Sequence, residues 1–415
     1  MRRRKWGFAP LAALVVLSGC TATASPTLTS EQHDFGAEAD EKKLLQTAGR
    51  FDRGLAEKGF VLQDKAVEEY VQRVGARLVP ASAARAVTFR FRVLRDPLVN
   101  AFALPNGSIY VNVALLARLE NEAQLAQVLG HEIGHVVARH SLDRERTRTS
   151  SRMAANIARI ALAGLPIGDS TALAVMASHS REHEIEADHL GLQYMAAAGY
   201  PLSEVDRLFT LMQEIKPWDA AAGSIYSSHP DNQERAERTR SLVGSGELQR
   251  NAGASNHARE YAAVRHAVAL ENIRLKLNIR QYRLAADAAE AALAHALASP
   301  WLHYYRGEAY RLMAEDPGGA AHEQAQIAGL QTSKSMVADM RQRKPELLRS
   351  AKQSFEQCLA NEAQFAHAYR GLGLVALAEG DQATARDALK RYLDNAPDIT
   401  DRRYITNILG RIASQ

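Results

Sequence analysis

His131-Glu132-Ile133-Gly134-His135 constrains this chain more than any other stretch. It lies in a run, Asn121 to Ser141, whose apolar spacing predicts one helix. Histidines four residues apart share a helical face, about 40° from one another. Two imidazoles can then reach one metal ion, with the Glu132 carboxylate beside them to handle a metal-bound water. Leu125, Val128, Leu129, Ile133, Val136 and Val137 surround the motif. A helix that merely showed two histidines to solvent would not carry so much apolar surface. The chain must therefore bury this helix and bring a third ligand to it.

An extended HExxHxxGxxH pattern would place that ligand on the same run. Here those positions hold Ala138 and Ser141, so this route is closed. His140 is no substitute, because it falls about 180° from His131 around a continuous helix and faces away, in a surface or packing role. The remaining source is a later helix with Ser180-Arg181-Glu182-His183-Glu184-Ile185-Glu186-Ala187-Asp188. Glu184 and Asp188 are again four apart and share a face. Glu184 is the candidate third ligand, and Asp188 the acceptor for the outer N–H of a ligand histidine. The competing reading is a solvated charged face, and Glu182, His183 and Glu186 are assigned to it. Ile185, Leu190, Leu192, Tyr194 and Met195 direct the helix inward.

Elsewhere the period changes. Val87, Phe89, Phe91 and Val93 alternate with polar residues, as a half-buried strand does. Two apolar runs, Val99–Pro105 and Ser108–Val113, flank Asn106-Gly107, a strong hairpin signal. Pro105 cannot donate to a ladder, so the hairpin belongs near a sheet edge. Beyond it the pattern is helical. A Gly- and Pro-containing break at Gly164–Ser170 interrupts an apolar stretch, readable as a mobile lid or as a core helix pair. A boundary rich in Gly, Ser and Asn falls near Gly244–Asn256. After it, Tyr369, Leu372, Gly373, Gly380, Ala385, Leu389 and Pro397 fit the spacing of a tetratricopeptide repeat, with a looser copy at Tyr304, Gly307 and Tyr310. A generic helical bundle is the alternative.

The amino terminus reads as a targeting segment. Arg2, Arg3, Arg4 and Lys5 precede an apolar core too short to span a bilayer as a mature helix. It closes with Leu17-Ser18-Gly19-Cys20, which resembles the lipobox of bacterial lipoproteins. That resemblance implies cleavage before Cys20, lipid on its thiol and, with Thr21 rather than Asp next, sorting to the outer membrane. An ordinary secretory signal is the alternative. Residues 1–19 are then the signal peptide and 20–35 a tether. The second of the two cysteines, Cys358, would have no partner, so disulfides and cysteine-based metal sites drop out. The formal net charge of +4 includes the four leader cations, leaving a near-neutral mature chain with nothing to suggest nucleic-acid binding.

HExxH, the later Ser-Arg-x-x-Glu-x-x-Ala-Asp helix and Ala198-Gly199-Tyr200 together resemble the zinc metallopeptidases typified by the CAAX prenyl protease and HtpX. The hairpin from Asn100-Ala101-Phe102 to Asn106-Gly107 is similar too. The resemblance covers roughly residues 36–242. It implies a gluzincin-type site with one zinc ion held by His131, His135 and Glu184, and Glu132 as general base. It also places a histidine such as His229, in Ser227-Ser228-His229-Pro230, near the metal. There it would stabilise an oxyanion or fill the fourth position and silence the site. Its competing role is to cap the next helix. Lipobox and helical repeats make the chain look like the periplasmic β-barrel assembly-enhancing protease subgroup.

The expected fold is mainly α with a small sheet: a metallopeptidase domain over residues 36–245, then a helical-repeat domain over 256–415. Asn100, Ala101 and Phe102 would pair with an extended substrate strand. The expected function is digestion of unfolded or misassembled envelope proteins, with the repeats docking outer-membrane assembly machinery. A gated peptidase acting mainly as a chaperone or assembly factor for outer-membrane proteins, through its helical repeats, is the alternative.

Overall fold

Capping residues set the helix starts. Asp64 accepts the Val67 N–H, Asn121 the Gln124 N–H and Ser180 the His183 N–H, each satisfying a donor that the first turn leaves bare. The computed structural model describes residues 27–28, 38–147, 179–213, 229, 232–248, 254–295, 299–396 and 400–414, and the elements are numbered among these. The order is α1 (Ala39–Glu57), α2 (Lys65–Leu78), α3 (Ala81–Ala86), β1 (Arg90–Leu94), β2 (Ala101–Ala103), β3 (Ser108–Asn112), α4 (Val113–Arg118), α5 (Glu122–Val137) and α6 (His140–Thr147). Then come α7 (Arg181–Ala197), α8 (Glu204–Gln213) and α9 (Asn232–Ser245). Helices fill the rest: α10 (Ala258–Asn278), α11 (Tyr282–Ala294), α12 (Pro300–Glu315), α13 (Pro317–Ile327), α14 (Lys334–Gln342), α15 (Lys344–Asn361), α16 (Ala366–Glu379), α17 (Gln382–Asn395) and α18 (Arg402–Ala413). The chain is thus mainly helical with one small sheet. Among the described residues no helix is long and apolar enough to cross a membrane.

The sheet has the order β1-β3-β2, with β3 buried along its whole length in the centre. β1 runs parallel to β3 and β2 antiparallel to it, Phe102 facing Tyr110. The strand begins at Arg90 rather than at Val87. Val87 and Thr88 instead cross the hairpin turn, where a Cβ on Gly107 would lie 2.5 Å from Val87 Cγ1 and 2.7 Å from Thr88 O. The loop has three residues, closed by Leu104 N–H to Ser108 O at 2.8 Å, and only Gly107 takes a positive φ, 83°. β2 is an edge strand.

One apolar core joins α2, the sheet, α4, α5, α7 and α8, with Val71, Val74, Ile109, Leu115, Leu129 and Met195 fully buried. Leu28 belongs to it, and its N–H donates to Val137 O at the end of α5 (2.9 Å). A second core fills the carboxy-terminal array around Phe355, Ala351, Ala285 and Leu302. There α12 packs on α11 and α15, α15 on α16, and α16 on α17. Gly380 ends α16 with φ 85°, and Asp381 caps α17. Helix α10 serves both cores: Tyr261, Val264 and Val268 lie in the first, Ala269 and Ile273 in the second. Cys20, the Gly164–Ser170 break with its flanks, and Pro397 lie outside the described residues.

The predicted helix Asn121–Ser141 is interrupted. α5 stops at Val137, Ala138 caps it, and Arg139 turns the chain with φ 59° before α6 begins at His140. The Arg139 guanidinium pairs with Glu41 of α1 at 2.5 Å, which holds the turn against the body of the domain.

Candidate metal centre

Two helices cross in backbone contact to build the site. A Cβ on Gly134 of α5 would lie 2.9 Å from Ala187 O of α7, and one on Gly191 would lie 2.8 Å from the His131 nitrogen. That contact brings the imidazoles of α5 to the carboxylates of α7. His135 Nε2 lies 3.0 Å from His131 Nε2. Each is 3.4 Å from an oxygen of Glu184. His229 Nδ1 completes the group, 3.2 Å from His131 Nε2 and 3.0 Å from both Glu184 oxygens. A tetrahedron of nitrogen and oxygen ligands about a zinc ion has edges of about 3.3 Å. The four donors therefore fit one such ion, and all four residues are buried. The structure brings His131, His135, Glu184, Asp188, Glu132 and His229 together.

The charges fit as well. Glu132, Glu184 and Asp188 set three carboxylates around the group, and the Arg235 guanidinium contacts two of them. When all are ionised two negative charges remain, the charge of one divalent cation. Burial pushes the Glu132 carboxyl up. Burial also works against the Glu184 carboxylate, yet His229 and the hydrogen bonds from His131 and His135 hold it well below its ordinary range. Burial drives the His135 imidazole well down. It opposes the charged form of His131 too, but the adjoining carboxylates lift that ring to about 9. Glu132 Oε2 and His229 Nε2 are buried with no hydrogen-bond partner among the described residues, so both aim polar atoms into the site.

Asp188 Oδ1 lies 2.9 Å from His131 Nδ1, the ring nitrogen turned away from the cluster. Arg235 of α9 was not foreseen. Its Nε and Nη2 donate to Asp188 at 2.8 and 2.7 Å, and its Nη1 lies 2.9 Å from Glu184. No local pattern around Arg235 marks it, since α9 is charged along its length.

His140 corrects the reading that faced it away. It is buried, and its Nδ1 lies 2.9 Å from His135 Nδ1, because the turn at Arg139 replaces the helical rotation that would have carried it outward. His183 also leaves the solvated face, stacking on His140 with centroids 4.1 Å apart. Glu186 lies 3.2 Å from His140 Nε2. His179, unnoticed in the sequence, stacks on His135 at 3.8 Å.

Ala101 and Phe102 lie in edge strand β2, with Asn100 just before it accepting the Asn112 N–H at 2.9 Å. Ala103 at the end of this strand and Leu104 just after it line a hollow shared with His135, Val136 and Leu28. On the other side of α5, Leu208, Phe209 and Met212 of α8 line an apolar recess against His131, Glu132 and His229.

Comparison with known proteins gives the same direction. Residues 65–243 match peptidase family M48. A putative beta-barrel assembly-enhancing protease of Vibrio cholerae is 28% identical over 197 residues, 43% of this chain and 41% of the relative. The mitochondrial metalloendopeptidase OMA1 of Schizosaccharomyces pombe is 28% identical over 193 residues, 45% of this chain and 56% of the relative. The metalloprotease YcaL of Escherichia coli is 26% identical over 260 residues, 59% of this chain and 100% of the relative. For the first two, the chain spans about half the relative's length or less.

Proposed function

We propose that the chain, whose residues 65–243 match peptidase family M48, is a zinc endopeptidase of a Gram-negative envelope acting on unfolded or misassembled polypeptides. The observation that carries this is the convergence of His131 Nε2, His135 Nε2 and Glu184 on one point, with Glu132 beside it. A bound zinc ion would polarise the scissile carbonyl and acidify the attacking water. His131, His135 and Glu184 would hold the ion. Glu132 takes the proton from that water and hands it to the leaving amine, and burial suits it to hold a proton between those steps. β2 pairs with no strand other than β3 among the described residues, so an extended substrate could add alongside it at Asn100–Phe102 through backbone hydrogen bonds.

His229 supports a second reading. Its Nδ1 occupies the corner of the ligand set where water or the substrate carbonyl must sit. A peptidase silenced this way would act mainly as an assembly factor, the helical array, as tetratricopeptide-like repeats over residues 256–415, docking outer-membrane assembly machinery. Lipid on Cys20 would attach the chain to the outer membrane, facing the periplasm. The Vibrio cholerae relative is named for β-barrel assembly, which favours an envelope, and the OMA1 relative is named as mitochondrial.

Digestion of casein by the purified full chain separates the readings. Glu132→Gln should keep zinc and lose cleavage, and His131→Ala should lose both. If Glu132→Gln cleaves at the wild-type rate, the peptidase mechanism falls. Cleavage that appears only in His229→Ala selects the gated form.

A further inference from the structure

His131 and His135 have different neighbours behind them. His131 Nδ1 meets the Asp188 carboxylate at 2.9 Å, and Arg235 clamps that carboxylate. His135 Nδ1 meets another imidazole instead, His140 Nδ1, also at 2.9 Å. A ring that spends Nε2 on a metal carries its hydrogen on Nδ1, and an N–H···N bond needs a bare nitrogen opposite. His140 Nδ1 must then be the bare one, so the His140 hydrogen sits on Nε2. That atom lies 3.2 Å from Glu186 Oε2, which accepts it. Each requirement forces the next, and none is left unmet.

We infer that His140 is a positioning residue for the metal: it accepts the His135 Nδ1–H and is fixed in the required tautomer by Glu186. This rests on the zinc reading of the site above. The placement is built rather than incidental. The left-handed turn at Arg139 delivers His140 to this spot, His183 covers its other face, and the ring is only 1% exposed. Without His140 the His135 N–H is buried and unpaired, and the ring is free to turn or change tautomer. Losing such an outer partner typically weakens metal binding about 10- to 100-fold.

The test is competition for zinc between the full-length chain and a chromogenic chelator, with circular dichroism to verify folding. His140→Ala should weaken zinc about 10- to 100-fold. His140→Asn should recover most of that loss, because its side-chain oxygen can accept where Nδ1 did. Glu186→Ala should give a smaller loss, a few-fold. If His140→Ala does not fold, the last two variants decide the matter. A folded His140→Ala with wild-type affinity overturns the inference. So does His140→Asn no better than His140→Ala, which would reduce the residue to packing. Two zinc ions per wild-type chain, falling to one in His140→Ala, would also overturn it, because His135, His140 and His179 would then hold a second ion. A wild-type chain that binds no zinc defeats the zinc reading itself and the inference with it.

Discussion

The crossing of α5 with α7 and the stacking of α12, α15 and α16 both depend on glycine, but in opposite ways. At the metal centre glycine sets backbone against backbone: Gly130 would meet Gly191 O at 3.0 Å and Gly134 would meet Ala187 Cα at 3.0 Å. Nothing there can rotate aside. In the array glycine makes room for a ring: Cβ atoms on Gly307 and Gly371 would lie 2.6 and 2.4 Å from Phe355 ring carbons. A ring can turn or be replaced by something smaller. The candidate ligands, which must converge to within a few tenths of an ångström to hold one ion, lie on the first kind of contact. The array uses the second, where a local adjustment costs packing and nothing else.

The sharpest attempt to break this contrast is Gly134→Ala. The methyl group must drive α5 from α7, so cleavage and zinc content should both be lost, with about 3 kcal/mol of stability. Metal analysis alongside denaturant unfolding checks it, and retained zinc would end the argument. Gly371→Ala should cost about 2 kcal/mol of stability and leave zinc content and cleavage untouched. Adding Phe355→Leu to Gly371→Ala should restore part of that loss, since the smaller side chain yields the space. No rescue would mean that the array, too, is fixed by its backbone.

The smallest effect concerns the seam between the regions. Asp96 sits there near Lys276, whose ammonium donates to Pro97 O at 3.2 Å. Burial lifts the Asp96 carboxyl from an ordinary 3.8 to about 6, against the pull of the Leu98 N–H and Lys276. Between those values the folded chain keeps the proton and the unfolded chain has shed it, so stability falls as pH rises through that window. Asp96→Asn removes the loss. It should stabilise the chain by on the order of 1 kcal/mol at pH 7.5 and hardly at all at pH 4. Equal effects at both pH values would rule out the carboxyl as the cause.

Sequence spacing goes far where one helix carries the information. His131 with His135, and Glu184 with Asp188, can be paired by rotation alone, and the turn at Gly107 follows from residue chemistry. Where the chain leaves a regular element, spacing fails. Arg139 adopts φ 59° with no glycine to announce it, so an unbroken helical pattern hid the turn that swings His140 inward. Arg235 and His179 reach the site only through tertiary packing, Arg235 from a helix start rich in charge and His179 from the end of an apolar run, and neither setting marks a site residue. Val87 and Thr88 have strand chemistry but are taken up by the crossing over Gly107. In each case a long-range contact settles what local preference leaves open.

Helix α10 touches the metal-bearing half at a telling place. The Tyr261 hydroxyl donates to Leu116 O at 2.7 Å, inside the short helix α4 from which the chain passes into α5. The same α10 lends Ile273 and Ala269 to the interior of the array. Through it the interior of the array is fastened to the root of the helix that bears His131 and His135, by the Tyr261 hydroxyl and by the packing of Val264 and Val268.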